Sequence, residues 1–210
     1  WLCSGYLITA LLSFIGFIKQ EHRHSNPLID LRIYEISAFT NGNIAGFMSF
    51  VAQFMTTLLV PYFLYNIMEL SPGAIGMILT LWPIGMLTAA PLGGYLSDRT
   101  GKPLYFSLLG IALILLALIA LIITVQLRSL TMMCIVNAMF GFGNGMFQAP
   151  NNASTMSAIP DRFHGVAGSL AALVRNLGMI IGTTLSVTVS ETARKYYLAH
   201  LGTDSAAAFV

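Results

Sequence analysis

The sequence predicts an all-α fold, a bundle of helices that crosses a lipid bilayer several times. Three observations carry this prediction: 56% of the 210 residues are hydrophobic, only 9% are charged, and the mean hydropathy is +0.78. A water-soluble domain carries about 25% charged residues. This chain has too few charges to build a wetted surface, so we expect an integral membrane protein surrounded by the lipid bilayer. The net charge of +2 gives no reason to expect a nucleic-acid partner.

Six apolar segments are long enough, or nearly long enough, to cross the hydrocarbon, which takes about 20 helical residues. No strand-like alternation accompanies them, so a β-barrel is not predicted. The predicted spans are 1–18, 37–65, 72–97, 103–126, 130–150 and 164–190.

The spans divide the chain into four parts. Residues 1–18 are expected to be the end of a preceding transmembrane helix, and 19–36 a cytoplasmic connector. Residues 37–190 are expected to form five transmembrane helices, and 191–210 an external tail leading to a missing last helix. Because the chain opens inside an apolar run, we expect it to be a fragment of a longer protein.

Basic residues set the orientation, since they favour the cytoplasmic side. The connections after the first, third and fifth spans hold most of them: Lys19, Arg23, Arg32, Arg99, Lys102 and Arg162. The remaining connections and the tail hold Arg128, Arg194 and Lys195. The turn that contains Arg99 is therefore predicted to be cytoplasmic.

Polar or small residues recur at helical spacing along one face of three spans, because residues three or four apart share a face. The fifth span has Asn137, Gly141, Asn144 and Gln148; the second has Gly42, Gly46, Ser49, Gln53 and Thr56; the sixth has Gly168, Ala172, Arg175, Met179, Gly182 and Ser186.

Two interpretations of these stripes stay open. Small residues and amides are typical of helix–helix contacts, and we favour packing for Gly141–Gly145 and Gly178–Gly182. Uncharged donors and acceptors are equally typical of a wet cavity that binds solutes. The candidate cavity residues are Gln53, Asn137, Asn144, Gln148 and Arg175.

Arg175 is the one charged residue deep within a predicted span. It lies 13 residues past Arg162, about 20 Å along a helix. No predicted span contains an Asp or Glu. An intramembrane arginine marks a functional site by default, although a purely structural role stays open. Its partner must be a backbone carbonyl, an amide, or a carboxylate outside this chain.

Signatures of catalysis are absent from the sequence. No Walker-type loop, nucleophile elbow, HExxH or kinase pattern occurs, and no cluster of ligands with metal-binding spacing is present. We therefore expect a protein that is not an enzyme and that uses no cofactor and no metal.

The turn "GYLSDRTGK" resembles the cytoplasmic signature of the major facilitator superfamily, although Pro103 stands where a second basic residue is usual. The residues that carry the resemblance are Gly94, Leu96, Asp98, Arg99, Gly101 and Lys102. The stretches 26–35, "NPLIDLRIYE", and 141–185 are similar to the fourteen-span drug:proton antiporters of that superfamily. On this resemblance the fold is a partial C-terminal half of a major-facilitator transporter, lacking its last helix and its N-terminal half.

The resemblance implies a secondary active transporter that exports drugs or amphipathic compounds by alternating access, coupled to protons. It also implies a bacterial cytoplasmic (inner) membrane location and contact with the missing N-terminal half. In the turn, Gly94, Asp98, Arg99, Gly101 and Lys102 would form a conformational latch between the two halves. A topogenic positive loop is the simpler alternative. Transport of a metabolite or siderophore, or a non-transporting scaffold or receptor, stays open for the whole protein.

Overall fold

The computed structural model describes residues 31–201, and five long α-helices make up most of this range. They are α1 (Ser37–Asn66), α2 (Pro72–Thr100), α3 (Pro103–Leu127), α4 (Leu130–Ser157) and α5 (His164–Leu201). Short 3-10 turns at Leu31–Glu35 and Asp161–Phe163 precede α1 and α5, and residues 31–201 contain no strand. All five helices include a stretch long and apolar enough to cross a membrane. The predicted all-α bundle is confirmed.

The predicted spans from residue 37 onward coincide with these helices, and the differences lie at two ends. The fifth predicted span stops at Pro150, whereas α4 continues to Ser157; the sixth stops at Ser190, whereas α5 continues to Leu201. Proline lacks the amide donor of a helix interior, but neighbouring helices make it tolerable in a membrane helix. The predicted span 1–18 and residues 19–30 and 202–210 lie outside the described residues.

Short turns with defined caps join consecutive helices. At the start of α2, the Ser71 hydroxyl accepts a hydrogen bond from the Ala74 amide at 3.4 Å, and Pro72 occupies the first turn. At its end Gly101 has φ +65°, and its amide donates to the Ser97 carbonyl at 2.9 Å. That backbone conformation is open to glycine without the steric cost other residues carry. Short turns of this kind reverse the chain direction between consecutive helices.

The central element of the bundle is α4. Of its most apolar stretch 56% is buried, against 22% for each of the other four helices. It packs mainly against α2 and α3, while α1 packs mainly against α5, and a smaller contact between α1 and α4 joins the two groups. The polar side chains described in the next subsection lie where α4 meets α1 and α2.

Glycines allow the close approach of α4 to its neighbours. A Cβ atom at Gly141 would overlap backbone atoms of Trp82, and one at Gly145 would lie 2.5 Å from the Met86 carbonyl oxygen. Between α5 and α1 the same holds: a Cβ at Gly182 would lie 2.5 Å from the Val51 carbonyl oxygen. The packing interpretation of these glycines is confirmed, and the small side chains permit backbone contact as in other membrane helix pairs.

The outer helix α3 is apolar on every face and turns only a narrow stripe toward α4. Its buried residues are Ser107, Gly110, Ile114, Ala117 and Thr124. Leucines and isoleucines between them are exposed, with Leu115 at 55% and Ile122 at 63%. This helix covers α4 and contributes no residue to the polar interior described below.

The glycine contact yields a stability prediction. Gly141→Ala should destabilise the full-length protein by about 1–3 kcal/mol, because the new methyl group meets backbone that cannot move without shifting α2. Gly76→Ala on the same pair of helices is the control, since no atom lies within 4 Å of its added Cβ. Thermal denaturation of the two purified variants in detergent measures the difference. Equal melting temperatures would show that the α2–α4 contact is loose.

Candidate functional site

Four polar side chains meet between α1 and α4, in the interior of the bundle. The Ser49 hydroxyl donates to Asn144 Oδ1 at 3.2 Å, and Gln148 Nε2 donates to Gln53 Oε1 at 3.4 Å. Asn144 is fully buried, Ser49 and Gln53 are buried, and Gln148 is half-buried. We call these four residues the amide cluster; three of them are predicted cavity residues, and Ser49 belongs to the predicted stripe of its span.

The direction of the two helices explains how the glutamines meet. Alternating short turns make α1 and α4 antiparallel, and side chains on a helix lean toward its N-terminus. Gln53 and Gln148 therefore reach toward each other past the Ser49–Asn144 pair. Further toward the predicted cytoplasmic end, Asn151 Nδ2 donates to the Gly42 carbonyl at 3.1 Å. The amide stripe of the fifth span thus faces α1.

Asn144 has hydrogen-bond partners on two helices. Besides the bond from Ser49, its Nδ2 donates to the Phe140 carbonyl of its own helix at 2.9 Å. A fully buried amide with both ends engaged acts as packing within this conformation. The Gln148 side chain is half-buried, so water would reach the amide cluster first at this residue and its partner Gln53.

Asn137 lies apart from the amide cluster, in a pocket of about 90 Å³ between α1, α2 and α4. We call it the outer pocket, because it lies toward the predicted external ends of these helices. Its lining residues are Thr56, Thr57, Val60, Leu79, Trp82, Asn137 and Phe140. Asn137 Nδ2 donates to the Met133 carbonyl at 2.9 Å, and its Oδ1 accepts no hydrogen bond from the described residues. This predicted residue therefore has an acceptor to offer.

Trp82 also lines the outer pocket and belongs to none of the polar stripes found in the sequence. Its indole Nε1 is the one buried side-chain polar atom without a hydrogen-bond partner within residues 31–201. The depth of this tryptophan in the membrane could have drawn attention to it. Trp82 lies ten residues after the first residue of α2, about 15 Å from the start of the helix. Tryptophans of membrane helices are enriched at the water interfaces, so one near the middle calls for a local reason.

Arg175 lies on α5, away from the amide cluster. It is eleven residues past His164, about 16 Å into the helix. The side chain is exposed and forms no hydrogen bond or ion pair with any described residue. Gly182 and Ser186 of the same stripe are buried, so only its outer part packs on α1.

The charged turn after α2 is exposed at the predicted cytoplasmic end. Asp98 is in the last turn of α2, near the negative end of the helix dipole, and has no hydrogen bond or ion pair with the part of the chain described. Arg99 Nη1 donates to the Tyr95 hydroxyl at 3.2 Å. Lys102 is exposed, just before α3, and Gly94 is half-buried. The turn presents free charge of both signs.

The acidic residues among residues 31–201 all lie outside the predicted membrane spans. They are Glu35, Glu69, Asp98, Asp161 and Glu191. No group of three His, Cys, Asp or Glu that could hold a metal occurs among residues 31–201. At membrane depth, the described part of the chain thus combines neutral amides and hydroxyls with one arginine.

Comparison with known proteins gives a match to a family model described as Major Facilitator Superfamily, over residues 42–194. Among curated relatives, the riboflavin transporter RibZ of Clostridioides difficile is 34% identical over 84% of this chain and 38% of its own length. The lincomycin resistance protein LmrB of Listeria monocytogenes is 24% identical, over 94% and 42%. The multidrug resistance protein Stp of Mycobacterium tuberculosis is 26% identical, over 84% and 32%. The chain thus spans about two fifths or less of these relatives.

Proposed function

Because the chain belongs to the Major Facilitator Superfamily, we propose that it forms part of the C-terminal half of a secondary active transporter for small organic molecules. The activity is a movement of solute across the bilayer by alternating access, in which two halves rock about a site near the midplane. The substrates that we propose are drugs or amphipathic compounds, which would be exported in exchange for protons. Bacterial relatives support a location in a bacterial cytoplasmic membrane.

The observation that carries this proposal is the exposed, unpartnered Arg175 at mid-membrane depth. A guanidinium facing hydrocarbon is costly, so this face of α5 is expected to border a wet cavity or the missing half. The glutamines of the amide cluster add neutral donors and acceptors on the neighbouring helix α1 and on α4. A transporter cavity uses both kinds of group, whereas a membrane scaffold has no need of an unpartnered arginine at this depth.

Two substrate classes stay in competition. LmrB and Stp are named for resistance to lincomycin and to multiple drugs, and RibZ for riboflavin transport. Charge favours neutral or anionic solutes at this half, because Arg175 is the one charged side chain inside the predicted spans of residues 31–201. A carboxylate that takes up the coupling proton or attracts a cationic drug must therefore lie outside the described residues.

The turn after α2 supports a latch. Asp98 has no partner in residues 31–201 and faces an unfavourable dipole, so an electropositive partner in the missing half would stabilise it. Arg99 and Lys102 are available to acidic groups there. Such pairs would hold the cytoplasmic face closed and would break when the transporter opens inward.

The function is tested by measuring solute uptake into proteoliposomes that contain the full-length protein. We expect an imposed proton gradient to drive accumulation of lincomycin or of riboflavin, and collapse of the gradient by a protonophore to abolish it. Accumulation of riboflavin alone would assign a metabolite, and accumulation of lincomycin alone would assign a drug. No gradient-dependent flux of either would favour a non-transporting role.

The latch predicts that Asp98→Asn lowers the transport rate at least tenfold while leaving membrane insertion intact, because it removes one charge from an interhelical contact. Asp161→Asn is the matched control, since it removes another exposed acid on the same predicted side. Efflux per molecule of folded protein is the measurement. Normal efflux by a well-expressed Asp98→Asn variant would refute the latch.

Arg175 yields a separate prediction. Arg175→Ala should reduce transport far more than it reduces the amount of folded protein, and Arg175→Lys should rescue little if the guanidinium binds two acceptors at once. Arg162→Ala, in the 3-10 turn that precedes the same helix at its predicted cytoplasmic end, should leave transport near normal. If Arg175→Ala lowers only expression and the purified protein transports at the normal rate, Arg175 is structural.

A further inference from the structure

The outer pocket is small and half-open, with room for part of one ring. Its volume of about 90 Å³ takes the edge of a single ring, so the remainder of a larger ligand would stay outside. Val60, Leu79 and Phe140 give it apolar walls. Thr57 is the exposed member of the lining and marks the mouth. Apolar walls that include the aromatic side chains of Trp82 and Phe140 favour a flat ring over a branched chain.

The threonine and asparagine donors that line the pocket already have partners, and the groups that these side chains leave free are acceptors. Thr56 Oγ1 donates to the Ala52 carbonyl at 2.7 Å, and Thr57 Oγ1 donates to the Gln53 carbonyl at 2.8 Å. Asn137 Oδ1 accepts nothing from the described residues. Since the hydroxyl protons are used, the oxygens of these three side chains are free as acceptors. A ligand that enters must therefore bring an N–H or O–H donor.

Trp82 adds an unused donor. Its Nε1–H is shielded by neighbouring atoms and lacks any partner in residues 31–201, a state that buried donors rarely keep. The Trp82 backbone is packed against Gly141, so the N–H can reach an occupant only by rotation of the indole side chain. Such a rotation would turn this N–H toward the acceptor of an occupant of the pocket that Trp82 lines. The pocket thus pairs one donor with acceptors.

We propose that the outer pocket binds the neutral carbonyl–N–H edge of a planar heterocycle, such as a lactam or cyclic imide. The ring N–H donates to Asn137 Oδ1, and the adjacent carbonyl accepts from Trp82 Nε1 once the indole turns. No ionisable side chain lines the pocket, so a charged ring would lose its hydration without compensation. This inference rests on the proposed transport function and adds the substrate class that this half selects.

The test compares two probes on purified full-length protein: lumichrome, whose two ring N–H groups each adjoin a carbonyl, and 1,3-dimethyllumichrome, in which methyl groups replace both of these protons. We expect calorimetric titration to show about three- to tenfold tighter binding of lumichrome, the effect of one hydrogen bond. Trp82→Phe, which keeps an aromatic ring and removes the N–H, should weaken lumichrome binding by a similar factor. Asn137→Leu should bring the ratio of the two affinities close to one.

Asn43→Leu is the matched control, because Asn43 is also buried and also donates to the carbonyl four residues before it, at 2.9 Å. It should leave the lumichrome preference unchanged. Equal affinity of wild-type protein for both probes would overturn the proposal without relying on any variant. So would an unchanged preference in a folded Asn137→Leu protein.

Binding and flux separate this inference from the transport function. Lumichrome binding that depends on Trp82 and Asn137, without any gradient-driven flux, would support the pocket and refute the transporter. Gradient-driven transport that is unaffected by either substitution, with no imide preference in binding, would do the reverse.

Discussion

The lipid bilayer offers no hydrogen bonds, and this constraint governs the placement of polar side chains throughout the bundle. Many of them are satisfied within their own helix by the carbonyl four residues earlier. Thr124 bonds the Ala120 carbonyl at 2.7 Å, and Asn43, Asn137 and Asn144 use the same arrangement. Few polar groups lack such a bond within their own helix, and these groups lie in the amide cluster, in the outer pocket and at Arg175.

Close helix packing and polar pairing depend on each other here. A serine and an asparagine are short, so Ser49 and Asn144 meet only because α1 approaches α4 closely. Small residues make that approach possible, and the exposed carbonyl of one of them, Gly42, becomes the acceptor for Asn151. The glycines at the α2–α4 and α1–α5 contacts act sterically, whereas Gly42, which faces α4 from α1, also contributes a backbone acceptor. The interior of the bundle is thus built from backbone as much as from side chains.

Much of the fold follows from sequence, because hydropathy and helical spacing are local properties. Five spans and the face that Asn144 and Gln148 share were predictable from spacing alone. The continuation of α4 past Pro150 was not, because neighbouring helices decide whether a proline is tolerated. The pairing of Gln53 with Gln148 depends on how far α1 and α4 are shifted along each other, and helix packing decides that shift. Trp82 follows no periodic pattern, so only the structure connects it with Asn137.

The unequal burial of the helices has a consequence for how such a protein evolves. With neighbours on most sides, α4 can accept few substitutions without displacing α2 or α3, so its sequence is constrained by volume at nearly every turn. The outer faces of α3 need only remain apolar, so exchanges among apolar residues are tolerated there. The outer pocket lies across this division, because Asn137 and Phe140 belong to the central helix and share its constraint, whereas its other lining residues lie on α1 and α2. Evolutionary change in the pocket is therefore expected first among the side chains of α1 and α2, which can be replaced while the central helix keeps its sequence.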